Sequence, residues 1–393
     1  MSPATILWLI AGCLMLQPLS TDLYLASLPH LATDFAVGPA AVQQTLSLFV
    51  VGFGVAQLVS GPLSDRFGRR PVLLCGLAIY VAATLACALA PTLNLLVAAR
   101  FAQAIGCCTA IVVARALIRD VYTPAEGAQM IARASSLLSI APLFGPILGG
   151  YLQVAFGWRA AFLFQTLFGI ALGAMAWRLL RETNLTPNAE AANPGKLAGI
   201  YRRIAGSGAF WAYALPGALS YAAIFVYISG SSFVLIDVLG VPTEIYGYCF
   251  AFGVFGYLLG TLACRRLLTH IGIARSLRLG TALSLTAGLL FAALALAGTH
   301  HWTAVVFCQF LAMGAHGINF PCAQSGAVAP FPREAGAAAG LLGFFTMVAA
   351  LATGTWVGMS HDGTLVPLAL TSATLGTLLF ASARALGRRA AAA

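Results

Sequence analysis

A chain of 393 residues that is 60% hydrophobic and only 8% charged is not a soluble globule, where roughly 25% charged residues are usual. Its mean hydropathy is +0.90, and the formal net charge of +10 sits at the ends of apolar runs. That placement follows the positive-inside rule of polytopic membrane proteins and excludes nucleic acid as the reason for the charge. The nine cysteines are scattered through apolar runs without ligand-like spacing. They read as small packing residues, with no metal site and no cofactor. The amino terminus lacks a basic n-region, and its apolar stretch runs on as a full span, so it does not read as a cleaved signal.

Twelve spans are predicted in chain order, over roughly 5–28, 40–61, 71–90, 93–117, 129–154, 160–180, 208–236, 245–264, 275–297, 302–328, 334–357 and 364–386. An even number puts both termini on one side, and the basic loops make that side the cytoplasm. The longest polar stretch, 181–203, divides the spans six and six. It predicts an amino-terminal bundle over 1–181, a linker over 182–206 and a carboxyl-terminal bundle over 207–393. The halves are related in sequence. Gly68 precedes Gly76 by the same spacing as Gly272 precedes Gly280, and Gln309-Phe310 stand to Gly336 as Arg100-Phe101 stand to Gly127.

Between the second and third spans the chain reads Gly61-Pro-Leu-Ser-Asp65-Arg66-Phe-Gly68-Arg69-Arg70-Pro71. Gly61 and Pro62 are expected to close one helix, Gly68 to permit a tight reversal, and Pro71 to suit the first turn of the next. This stretch resembles the G-x-L-x-D-R-x-G-R-R/K loop of major facilitator transporters. The resemblance implies an all-α, twelve-span fold of two pseudo-symmetric six-helix bundles, with a substrate site near the midplane. It makes Gly61, Asp65, Arg66, Gly68, Arg69 and Arg70 parts of a cytoplasmic gate.

Charges inside spans cost ~2.5–3.5 kcal/mol on insertion scales, so they need partners or a wet cavity. Asp22, Arg100 and Arg115 stand clearly within spans. Counted from outer ends at Leu28 and Leu93, Asp22 and Arg100 lie at nearly equal depth, ~9–10 Å in. They could form a buried pair, either a static salt bridge or a switch in which burial disfavours the carboxylate and Arg100 favours it. Arg115 follows Arg100 by about 60° around the helix, so both can face the cavity. Arg119 and Asp120 read as snorkelling and capping charges at the cytoplasmic end of that span.

Three further stretches carry the resemblance. Arg100-Phe-Ala-Gln103-Ala-Ile-Gly106 is similar to the R-x-x-Q-G signature of proton-coupled facilitators, with the glycine displaced by one. Ala141-Pro-Leu-Phe-Gly145-Pro146-Ile-Leu-Gly149-Gly150 is similar to the antiporter motif G-x-x-x-G-P-x-x-G-G, with Ala at its first glycine. Its small residues allow close helix contact, and Pro146 supplies a bendable element, so Gly145, Pro146, Gly149 and Gly150 form a candidate hinge. Thr21-Asp22-Leu-Tyr24-Leu25-Ala-Ser-Leu28-Pro29, Arg115-Ala-Leu-Ile-Arg119-Asp120 and Phe320-Pro321-Cys-Ala-Gln324 are similar to sequences of the Bcr/CflA group of drug exporters.

That resemblance covers essentially the whole chain and implies proton-driven export of neutral, mid-sized drugs such as phenicols or bicyclomycin. A small native metabolite such as cysteine is the alternative cargo, with drug transport incidental. Protons serve as the coupling ion, and Asp22 with Arg100 forms the coupling site. In the carboxyl-terminal half Tyr221, Phe225, Phe252, His316 and Asn319 suit a largely apolar substrate and join Asp22, Arg100, Gln103 and Arg115 as candidate cavity residues. The expected protein is a monomeric transporter of the bacterial inner membrane. A sensor would carry an output domain, a channel leaves the repeat unexplained, and an enzyme would show a clustered nucleophile, base or metal set.

Overall fold

A computed structural model describes residues 3–138, 140–184, 187–299 and 301–390; they form helices and loops, with no strand among them. Ten helical stretches of 20 to 54 residues are long and apolar enough to cross a membrane. The first comprises α1 (Pro3–Asp22), a 3-10 turn at Leu25–Ser27 and α2 (Leu28–Asp34). Then follow α3 (Pro39–Phe67), α4 (Arg69–Ala88), α5 (Leu93–Val121), α6 (Pro124–Leu138), α7 (Ile140–Phe156) and α8 (Arg159–Leu179). The remainder are α9 (Pro194–Ala205), α10 (Gly208–Ser232), α11 (Thr243–Leu296), α12 (Trp302–Val328), α13 (Ala335–Ser360) and α14 (Val366–Ala390). The 54-residue α11 breaks at Gly272 and makes two crossings, and α6 with α7 makes one, which completes the twelve predicted.

The two halves share a backbone device. Gly68, between α3 and α4, has φ 96° and ψ 157°. Gly272 has φ 75° and ψ 175°. Both lie in a region that is essentially closed to residues with a Cβ. The matching spacings in sequence therefore correspond to one reversal used twice.

Gly61 and Pro62 do not close the second span, contrary to expectation. The helix α3 runs through both to Phe67. A proline removes only one backbone bond, and neighbouring helices make that loss tolerable in a span. The helix stops where Gly68 turns.

The chain divides into two compact units, Met1–Ser27 with Leu48–Gly199, and Leu28–Ser47 with Ile200–Ala393. A division at the linker alone places residues 28–47 in the first unit; the structure groups them with the second. Gln43 Nε2 donates to the Ser229 carbonyl at 3.0 Å, and His30 Nε2 lies 3.2 Å from the Thr243 hydroxyl. Gly358 has no side chain because a Cβ there would lie 3.0 Å from Ala40 Cα. The linker is also ordered at both ends. Its start folds onto the first unit, and α9 reaches the second, where Arg203 pairs with Glu334.

Candidate functional site

The first span is discontinuous at Asp22. Helix α1 ends there, and the chain passes through Leu23-Tyr24 before the 3-10 turn. The Asp22 carboxyl accepts from the Thr21 hydroxyl at 2.7 Å, and the residue is 7% exposed. Helix α7 packs directly on this break. A Cβ at Gly145 would lie 3.9 Å from Asp22 Cβ, an ordinary contact, whereas one at Gly149 would overlap the Leu23 carbonyl oxygen. Pro146 lies inside α7, and Gly145, Pro146, Gly149 and Gly150 are all buried. The antiporter-like motif thus seats its small residues against the chain at Asp22.

Asp22 and Arg100 do not form an ion pair. The span that begins at Ala4 reaches Asp34, so Asp22 lies deeper than an outer end at Leu28 implies. Arg100 is 0% exposed and packs against Tyr24 and Phe49, at 4.6 and 4.3 Å from their ring centroids, with Phe162 at 5.8 Å. Its Nη1 donates to Gln103 Oε1 at 2.5 Å. A desolvated cation–π contact contributes ~2 kcal/mol, and a hydrogen bond from a charged group ~1.5–3 kcal/mol. Together, at ~3.5–5 kcal/mol, these cover the ~2.5–3.5 kcal/mol cost of an arginine in a span, so no carboxylate is needed.

Arg100 therefore does not face a cavity alongside Arg115. Arg115 is exposed on the amino-terminal unit, and Arg100 is enclosed within it. Gln103 is likewise enclosed, donating to Thr84 Oγ1 at 2.9 Å and to Gln165 Oε1 at 2.8 Å. Gly106 acts in packing: a Cβ there would lie 2.5 Å from the Gly76 carbonyl oxygen, where α4 and α5 cross.

In the carboxyl-terminal unit the structure brings several predicted residues together. His316 Nδ1 lies 2.9 Å from the Ser220 hydroxyl, and its ring packs against Tyr221, Tyr257 and Phe320. Tyr221 also stacks on Phe225 at 6.1 Å. Asn319 donates to Ser284 Oγ at 3.0 Å. Phe252 is not part of this cluster; it is 46% exposed and stacks on Phe310.

The predicted cytoplasmic loop is organised by Arg69. Its Nη1 donates to Asp65 at 2.5 Å and to Ser64 Oγ at 2.7 Å, and its Nε donates to Asp120 at 2.8 Å. Asp120 is thus an ion-pair partner on α5. Arg66 covers the Phe67 ring, and Arg70 donates to the Trp177 carbonyl.

Glu182, read in sequence only as the start of the linker, accepts from the backbone N–H of Arg69 and Arg70 at the start of α4, at 2.8 and 3.0 Å. Burial alone would push its carboxyl up, but backbone donors at Asn184, Arg69, Arg70 and Thr183 hold it below the usual glutamate range. A folded-state value that is depressed stabilises the fold above the ordinary ~4.3 and loses that contribution as pH falls further. Glu182→Gln should therefore melt at a lower temperature than wild type at neutral pH, by ~0.3–1 kcal/mol at a helix start. The two melting curves should converge in acid, once pH has fallen through the depressed folded-state range; a gap unchanged from neutral pH down to full protonation of the carboxyl would refute the assignment.

Sequence reasoning missed Gln165 and the Tyr24, Phe49 and Phe162 cage. A lone amide within an apolar run was the available signal for Gln165.

The family profile of the Major Facilitator Superfamily matches residues 10–354. A bicyclomycin resistance protein homolog of Haemophilus influenzae is 26% identical over 357 residues, covering 91% of this chain and 89% of its own. Multidrug resistance protein D of Escherichia coli is 30% identical over 332 residues, covering 83% and 81%. A solved D-xylose-proton symporter superposes with a TM-score of 0.77 at 14% identity, covering 98% of this chain and 96% of that one. At that identity the likeness speaks for the fold. Its paired glycine reversals and these matches agree: the chain is a multi-pass membrane transporter of the major facilitator superfamily.

Proposed function

We propose that the protein is a proton-coupled exporter of neutral, mid-sized antibiotics of the phenicol and bicyclomycin kind, working by alternating access with Asp22 as the proton site. The observation that carries this reading is the setting of Asp22. It is the one acid among the buried polar residues described, and it sits at a helix break against the small residues of α7. The names of the bicyclomycin and multidrug resistance relatives support the substrate class. So does charge: Arg115 is exposed on the amino-terminal unit, and the cluster around His316 offers rings and hydroxyls but no acid. Neither Arg115 nor the His316 cluster offers a cation an anionic partner. We place the protein in the bacterial cytoplasmic membrane as a monomer with both termini inside.

One acid exchanging one proton for a neutral drug moves one net charge per cycle, worth ~2.3 kcal/mol per 100 mV. In proteoliposomes at a fixed pH gradient, phenicol export should accelerate when a membrane potential is added, and ethidium should be exported poorly. Phenicol transport indifferent to potential, or robust ethidium export, would refute the one-acid cycle. Including cysteine in the same screen tests whether a small metabolite is the main cargo.

A further inference from the structure

The polar side chains around Arg100 form a chain with a direction. A guanidinium only donates, so Gln103 must present its carbonyl oxygen to Arg100 and its amide nitrogen to Gln165. Gln165 must then present its own oxygen to Gln103, which leaves its amide nitrogen for the Leu19 carbonyl, at 3.1 Å. That carbonyl only accepts, so both ends enforce one orientation throughout. Gln165 is 0% exposed and lies on α8, whereas Leu19 lies in the last turn of α1. The last four carbonyls of a helix have no continuing partner within it. Here Leu19 is buried within a span, where lipid offers no hydrogen-bond partner. Gln165 caps it from a neighbouring helix.

We propose that Gln165 is a positioning residue for Asp22: it caps the end of α1 and links the carboxyl group's backbone to the fixed charge of Arg100. This rests on the reading of Asp22 as the proton site. The negative end of a helix disfavours an anion, and an N–H given to a terminal carbonyl offsets part of that effect. Besides Asp22, the titratable or charged groups around this end are Arg100 from α5, Tyr80 from α4 and Tyr24 of the break. On α6, Glu126 and Arg133 are exposed, and α7 and α8 offer Gly145, Gly149 and Gln165, which do not titrate.

The test uses dicyclohexylcarbodiimide, which reacts with protonated carboxyl groups in apolar surroundings, with labelling at Asp22 read by mass spectrometry. Gln165→Met keeps the length of the side chain and removes both hydrogen bonds. It should label about threefold faster than wild type near neutral pH, because the end of α1 is less compensated. Gradient-driven efflux should fall about tenfold, with drug affinity held within about twofold. Gln103→Leu, one link earlier, should move labelling the same way. Wild-type labelling in both folded variants would overturn the proposal. Failure of both to fold would overturn it too, by making the chain a matter of bundle stability. Labelling does not require transport, so it judges Gln165 separately from the coupling role of Asp22.

Discussion

Asp22→Asn is expected to reduce gradient-driven efflux to the level of empty liposomes while the protein inserts, folds and still exchanges drug down its concentration gradient. Asparagine keeps the size of the side chain and an acceptor for the Thr21 hydroxyl, so the break at the end of α1 is preserved. What it removes is the proton. Among the described residues no other acid is buried, and Arg100 is enclosed by rings and Gln103, so nothing nearby can take over the titration. Transport by the asparagine variant should then be indifferent to an imposed pH gradient. Gradient-driven efflux at the wild-type rate would remove Asp22 from the mechanism.

Gly149→Ala should be nearly as damaging, for a steric reason. Its methyl group would occupy the space of the Leu23 carbonyl oxygen. Backbone cannot rotate out of the way as a side chain can, so either α7 retreats or the break beside Asp22 is displaced. Overpacking of this kind costs ~1–3 kcal/mol where it can be absorbed, and more where backbone is the obstacle. Gly145→Ala, one turn earlier in the same motif, adds a methyl at ordinary contact distance and should be tolerated. Efflux and melting temperature of the two variants decide the matter. Equal effects would mean that the motif matters for its small size in general and not for the contact with Leu23.

The spans and the glycine reversals are legible in the sequence because length, apolarity and the demand for a positive φ are local requirements. Asp22 and the Gly145 to Gly150 run are legible too, as a costly charge and a dense run of small residues. Their meeting is not. Nothing at Leu23-Tyr24, neither glycine nor proline, announces that α1 stops there; the turn is held by tertiary contact with α7. Equal depth suggests an ion pair between Asp22 and Arg100, but aromatic rings can accommodate a guanidinium. Tyr24, Phe49 and Phe162 look in sequence like any other rings of an apolar span. Gln165 and Glu182 act across 62 and 113 residues of chain, which no local pattern reports.

The single-residue reversals at Gly68 and Gly272 also constrain how the protein is made. A connection that short leaves no slack for one helix to wait inside the bilayer while the next is still outside it. Helices α3 and α4 must therefore enter as a hairpin, and so must the two arms of α11. Each hairpin also carries basic residues at its turn, Arg66, Arg69 and Arg70 at one bend and Arg265, Arg266 and Arg275 at the other, a pattern that favours keeping such a turn on the side of synthesis. The same glycines that set the geometry of the finished transporter thus set the unit size in which it is inserted, one pair in each half.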